Sequence, residues 1–300
     1  MCIDLEKRRR LWILWEFSQL TLPIAMIRIL DKVSILRLIV PHLSVAKRGF
    51  VSRASLTDIV NAILYKFKSG CQWHLLPIKS LISRGSLKYG AIYHHFRKWT
   101  LDGSWKRVRR MLARYNPRAL DLSLAHFDGT HTRANKGGKG VGYQRRKRSK
   151  TTNTLWLVDS NGLVVSYLPP VAGNHNDLYN IEAAWLAMIQ DLKQMGIEVD
   201  GLFINADAGF DAEHLRHLCE DHDIHLNAPV NRRSAKADFE FDEWFFDRQM
   251  YEQRFVVERT NAWMDANRSM NIRYDTTIDS WIAWHDLYCI LAWCRKIRKV

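Results

Sequence analysis

Asp128, Asp207 and Glu258 are the acidic residues whose settings could support chemistry. Asp128 stands in AHFDGT and Asp207 in FINADAG, each at or just past the end of an apolar, strand-like run. Aspartate is disfavoured within strands, and at their ends it serves as a turn cap or a site residue. Glu258 stands in YEQRFVVERTNAWMD, where Tyr251, Arg254 and Glu258 recur at i, i+3 and i+7 and so share one helical face. A carboxylate beside a guanidinium stays ionised, and an ionised carboxylate can hold a hard divalent cation. The same pattern also describes a solvent-facing helix with an ordinary Arg–Glu pair, worth a few tenths of a kcal/mol. If the two strands are neighbours and the helix lies beside them, three carboxylates converge and repel one another unless cations neutralise them. Two magnesium ions, roughly 3.5–4 Å apart, would then bind an attacking and a leaving oxygen at phosphorus. That is the chemistry of phosphodiester cleavage and transfer.

A second cluster lies between the first two strands. The stretch from Arg133 to Lys150 holds eight Lys or Arg residues, four glycines and no acid. Its charge matches a phosphate backbone, and its glycines permit close backbone approach. Arg145, Arg146, Lys147, Arg148 and Lys150 are the expected DNA contacts; the alternative is a disordered basic tail or localisation signal. The segment is not a phosphate-binding P-loop, since the GxxxxGK[ST] order is absent. In AGNHND, Asn176 and Asp177 read as a helix cap, and His175 is either a substrate contact or a bystander. His214, His217, Cys219, His222 and His225 match no common structural-zinc spacing.

These residues need a scaffold. Leu122 to Thr130, Thr154 to Asp159 and Leu163 to Leu168 read as strands, with Asn161-Gly162 a hairpin turn and Pro169-Pro170 a terminator. A helix follows, capped at Asn176 or Asp177, buried through Ile181 and Trp185 and ended by Gly196. Next come a strand over Leu202 to Ala206, a helix from Asp211 to about His222 and a strand over Ile224 to Leu226. Residues 229–245 read as an irregular connection to the Glu258 helix, and a final amphipathic helix runs from Trp281 to about Arg298. This order predicts an α/β fold, a mixed sheet with flanking helices.

Upstream the period is helical. Leu56, Ile59, Val60, Ile63, Leu64 and Phe67 form one apolar stripe, with Ser55 as N-cap and Gly70 as stop. A second helix starts near Ser86 and carries Arg97 and Lys98. A third, from Ser104 to Tyr115, carries Lys106, Arg107, Arg109 and Arg110 on its polar side. Three short helices with basic outer faces suggest a helix-turn-helix-like DNA-binding module. Residues 1 to 46 look helical and apolar, with no assigned role.

The chain has 300 residues, 47% of them hydrophobic, enough for two domains, and a formal net charge of +14, which points to a polyanionic partner. Its five scattered cysteines include no C-x-x-C and suit a reducing compartment. Charges and Pro23 interrupt the apolar stretch from Leu11 to Val40, and Met1 to Arg10 lacks a signal-peptide layout. These features predict a cytoplasmic protein, nucleoid-associated when bound to DNA.

FDGTH around Asp128, NADAGFD around Asp207, and Y-x-x-R-x-x-x-E at Tyr251, Arg254 and Glu258 together resemble a DDE transposase of bacterial insertion sequences. GCQWHLLP with the following HHFRKW, and VVERTNAW followed by RYD, are similar to the insertion-sequence-five group, over roughly residues 48–276. The resemblance implies a ribonuclease-H-like catalytic domain over residues 118–300 behind an all-helical DNA-binding domain over 47–117. It implies Asp128, Asp207 and Glu258 as ligands of two Mg2+ ions, which Mn2+ can replace, and Tyr251 and Arg254 as residues that position DNA near the cut. It implies terminal inverted repeats and target DNA as partners, and a homodimer in the synaptic complex. The chain departs from the pattern at Asp265, where many relatives carry a lysine seven residues after the glutamate. Two rival readings are another ribonuclease-H-like nuclease, such as a junction resolvase, and a non-catalytic DNA-binding protein derived from a decayed element.

Overall fold

The computed structural model describes residues 27–45, 54–83, 87–231 and 245–297. The expectations for residues 1–26, for a helix start at Ser86 and for most of the connection over 229–245 lie outside them. Helix α1 (Leu56–Ser69) begins where the Ser55 hydroxyl accepts the Asp58 N–H and ends at Gly70, whose φ is +68°. Gly70 is required twice over, because a Cβ there would also sit 2.8 Å from Arg268 Cβ. Helices α2 (Tyr89–Leu101) and α3 (Ser104–Tyr115) follow.

Strand β1 (Ala125–Ala134) opens the sheet and is longer than its apolar run, continuing through polar residues to Ala134. Strands β2 (Gly142–Gln144) and β3 (Ser149–Val158) show that the basic stretch is a hairpin rather than a tail. After β4 (Val164–Tyr167) and β5 (Val171–Ala172) come α4 (Ile181–Gln194), β6 (Phe203–Asn205), α5 (Glu213–Glu220) and β7 (His225–Asn227). Helix α6 (Phe255–Asp265), the short β8 (Ile272–Arg273) and α7 (Ile278–Ile297) complete the order. In the sheet the order is β2-β3-β1-β6-β7; β4 and β5 also pair with β3, and β8 with β1. The β1–β3 and β3–β4 pairs are antiparallel, and β1–β6 and β6–β7 are parallel. The mixed sheet with flanking helices holds as expected.

Three local expectations change. The helix after β5 starts at Ile181, not at the AGNHND segment; Asn180 precedes it in the left-handed region at φ +52°. Asp177 is therefore no cap. Its carboxylate accepts a 2.6 Å hydrogen bond from Asn153 Nδ2 on β3. The final helix is not amphipathic: Trp281, Trp284, Leu287, Ile290 and Trp293 are buried together with Ser280, His285 and Asp286, so α7 is covered nearly all round.

Arg109 is the third change. The sequence puts it on the polar side of α3, yet it is 2% exposed. Its Nη2 donates to Asp191 and its Nε to Asp286, each at 2.8 Å. Trp105 and Leu112, four before and three after it, are both buried, so helical spacing already sets Arg109 on the inner face. The pairs tie α3 to α4 and α7. Phe96 of α2 and Trp73 of GCQWHLLP both stack on Trp284 of α7. The helices of residues 56–115 thus share one hydrophobic core with the sheet.

Candidate active site

β1 and β6 run parallel with Ala125 beside Ile204 and His126 beside Asn205. Asp128 lies two residues past His126 within β1 and Asp207 two past Asn205, just beyond the end of β6, and the pairing brings them close enough for Asp128 to feel the charge of Asp207. The Asp207 carboxylate also accepts the Gly209 N–H at 2.8 Å, capping the turn Ala208–Phe210. Burial raises the Asp128 carboxyl above the ordinary carboxylate range; Arg254 pulls it back in part, and the charge of Asp207 pushes the same way as burial. Beneath it, burial and then Arg254 hold His126 neutral, down to about 4.

The predicted helix over 251–265 is broken. A turn Arg248–Tyr251 and a 3-10 turn Glu252–Arg254 lead into α6. Arg254 does not form the ordinary pair with Glu258. Its Nη2 donates to Asp128 at 3.1 Å, while Nη1 lies 3.4 Å from the Tyr251 hydroxyl and the guanidinium sits 5.6 Å from the Tyr251 ring. Arg254 Nε is buried and, among the described residues, has no partner. Asn261 is a site residue that the motif reading missed. It accepts from Thr130 at 3.0 Å, and its Nδ2 points to the other Asp128 oxygen at 3.5 Å. Its signal was position, three residues past Glu258 on the same face.

Glu258 is exposed, one turn from Arg254 and one from Asn261, on the helix face that both use to reach Asp128. The three carboxylates do not yet form a cage: among the described residues no three His, Cys, Asp or Glu side chains stand together as a metal site. The donor set nonetheless fits a hard divalent cation. Its ligating atoms are anionic oxygens, Asp128 feels the charge of Asp207, and Arg254 supplies a positive charge beside Asp128.

Behind β1, Gly129 faces the other way. A Cβ there would lie 2.8 Å from Leu155 Cδ2 and 3.0 Å from Asp177 Oδ1, so the residue after Asp128 is fixed by contact on its far side.

The basic hairpin projects nearby. Arg145, Arg146, Lys147, Arg148 and Lys150 are all exposed, and the turn closes through Arg148 at φ +46°. Lys147 Nζ donates to the His131 carbonyl at 2.8 Å and feels the charge of Asp265. The acid that departs from the family pattern thus faces a lysine from another part of the chain. Arg97 and Lys98 each make an internal hydrogen bond: Arg97 donates to Ser280 Oγ at 2.8 Å and Lys98 to the Ser44 carbonyl at 3.1 Å. Both are half-buried, and these bonds join α2 to α7 and to Ser44. No helix among the described residues is long and apolar enough to cross a membrane.

Two family profiles match the chain. One, described as "Putative transposase of IS4/5 family", covers residues 36–109, and the other, "Transposase DDE domain", covers residues 120–293. No curated protein matches. Among solved structures, the piggyBac transposase synaptic complex with hairpin DNA is similar at a TM-score of 0.50 and 11% identity, over 91% of this chain and 76% of that one. The Mos1 transposase paired-end complex with left transposon end aligns over 85% and 81% at 13% identity, but its TM-score of 0.28 carries no weight.

Proposed function

The chain belongs to the transposase DDE domain family, and from that premise we propose that Asp128, Asp207 and Glu258 are its catalytic metal ligands. The protein is a ribonuclease-H-like, metal-dependent enzyme that cleaves DNA at transposon ends and transfers the ends to new DNA. The observation that supports the site assignment is the β1–β6 pairing, which brings Asp207 within electrostatic reach of Asp128, with Arg254 and Asn261 holding the helix of Glu258 against the same strand.

Two Mg2+ ions, or Mn2+ in their place, would supply the charge that activates the attacking oxygen and stabilises the leaving one. The protein's own work is to hold and neutralise. Asn261 orients the Asp128 carboxylate through its amide, and Thr130 fixes Asn261. Arg254 partly offsets the effect of burial on Asp128 and places a guanidinium charge beside it, where a phosphate would need one. Tyr251 stacks against that guanidinium and holds it in place. Both cleavage and joining depend chiefly on such positioning and charge compensation.

The exposed hairpin residues Arg145, Arg146, Lys147, Arg148 and Lys150 are the proposed backbone contacts, and Arg97 and Lys98 the least available ones. In this reading residues 47–117 form the helical DNA-binding part and 118–300 the catalytic part, acting on terminal inverted repeats as a homodimer. The test is cleavage of the element's own ends. Asp128→Asn, Asp207→Asn and Glu258→Gln should each stop strand cleavage while salt-sensitive DNA binding persists. Survival of cutting in any one of them removes that residue from the assignment.

A further inference from the structure

On the side of α6 turned away from the carboxylates lies a cleft of about 400 Å³, between the Asn161-Gly162 turn and the end of α7. Trp263 follows Asn261 by two positions, roughly 200° around the helix, so the cleft and the carboxylate site use different faces. Its wall carries Trp263, 48% exposed, and its far end carries Arg295 and Lys296. Arg259 lies against the rim: its guanidinium is 5.1 Å from the Trp263 ring and 6.0 Å from that of the exposed Phe255, and its Nη2 donates to the Asn161 carbonyl at 3.1 Å.

The turn is shaped for this. Gly162 has φ +86°, and a Cβ on it would lie 3.0 Å from Trp263 and 2.9 Å from Thr260 Oγ1. Any larger residue would push the turn off the helix and fill the mouth of the cleft. Among the described residues no acidic side chain lines it. The carboxylate that Lys296 feels, Asp159, is buried and already accepts the backbone N–H groups of Asp121, Asn161 and Leu163. Among the described residues, the cations at the cleft therefore have no anion in its walls.

We propose that this cleft is a second DNA site, in which phosphates of one strand sit against Arg295 and Lys296 and a base or sugar face lies on Trp263 beside Arg259. A flat aromatic ring flanked by guanidinium and ammonium groups is the combination that takes a nucleic-acid strand without reading its sequence. The cleft's size suits a single nucleotide unit rather than a whole duplex. Leu163, Leu291 and Ala292 form the floor, but the three cations around the cleft meet no acid among its described walls, so charge complementarity selects the polyanion over a second protein copy. The proposal rests on DNA being the partner of the catalytic site, but not on which carboxylates cut it.

The test is equilibrium binding of a short labelled DNA duplex, and of its single strand, to the full-length protein in chelator, so that no cleavage enters. Arg295→Glu with Lys296→Glu should weaken binding at least tenfold and reduce the slope of log K against log salt by about two. Trp263→Ala should weaken it about fivefold to a hundredfold with the slope unchanged. Photocrosslinking of bromodeoxyuridine-substituted DNA to the unmodified protein should label the peptide containing Trp263, a readout that needs no variant. Unchanged affinity and slope, or crosslinks that avoid this peptide, overturn the proposal. So does a loss of binding accompanied by a change of oligomeric state in sedimentation, which would make the cleft an interface between copies.

Discussion

Arg254 Nη2 lies 3.1 Å from Asp128 Oδ1, joining residues 126 positions apart in the chain. This hydrogen bond takes the arginine away from Glu258, its helical neighbour. It leaves Glu258 exposed on the same face and gives Asp128 a positive partner at the place where the family's chemistry needs one.

Arg254 should be replaceable by no other cation without loss. Arg254→Lys keeps the charge but loses the geometry that reaches Asp128 and Tyr251 at once. It should lower the cleavage rate about tenfold to a hundredfold, with DNA affinity falling far less. Single-turnover cleavage beside direct binding separates the two. Equal losses in both would make Arg254 a DNA contact only.

Removal of divalent metal should stop cutting without releasing DNA. In its presence the unmodified protein should gain thermal stability, about 2.7 kcal/mol at a hundredfold excess over the dissociation constant. Asp128→Asn should lose most of that gain. A melting curve of each protein with Mg2+, Mn2+ or chelator decides it, and an undiminished gain in the variant places the metal elsewhere.

Gly129→Ala inserts a methyl group between Leu155 and Asp177. The cost should be about 1–3 kcal/mol, from overpacking on the strand that carries Asp128. Urea denaturation measures it. Asp177→Ala combined with Gly129→Ala should recover part of the loss, because one of the two close neighbours is gone; no recovery would mean Leu155 alone sets the limit.

Arg109 joins three elements from inside the protein. Arg109→Leu leaves Asp191 and Asp286 buried without their shared partner and should cost about 3–5 kcal/mol. Burial pushes the Asp191 carboxyl up, but Arg109, Ser166 and Arg110 outweigh it and hold it below its ordinary value. A carboxyl depressed on folding contributes stability above its unfolded value of about 3.9, lost as pH falls through the folded value. Asp191→Asn should therefore flatten the acid limb of the stability curve below about pH 4, seen by denaturant titration at several pH values. An acid limb as steep as before would show that other carboxylates dominate it.

Neutralising the hairpin residues Arg145, Arg146, Arg148 and Lys150 together should weaken DNA binding uniformly across sequences. The salt slope should fall by about 0.9 for each phosphate that is no longer neutralised. If the slope holds, the hairpin stands clear of DNA.

Much of the fold is legible in the chain alone. Apolar periodicity locates the strands and the stripe of α1, and Ser55 and Gly70 mark its ends, because caps and period are local properties. Each of the three acidic residues has an ordinary local explanation, as a turn cap or a helix-surface charge, and they stand out only when their motifs are taken together. What stays hidden depends on partners distant in sequence. Nothing near Arg109 announces Asp286, which lies 177 residues away. Asp177 reads as a cap because capping is the local use of aspartate, whereas its partner, Asn153, comes from another strand. Arg97 and Lys98 read as surface charge because their acceptors lie on α7 and in the N-terminal segment.

The order of elements, the charge that calls for a polyanion and the available carboxylates are all local properties of the chain. Which side chains come together depends on pairing and docking between distant segments. Asp128 comes within reach of the charge of Asp207 because β1 and β6 pair in parallel with His126 beside Asn205, and a one-residue slip of β1 would turn Asp128 to the other face of the sheet. Arg254 chose Asp128 over Glu258 because helix α6 is docked on that strand, a matter of packing that no local propensity encodes.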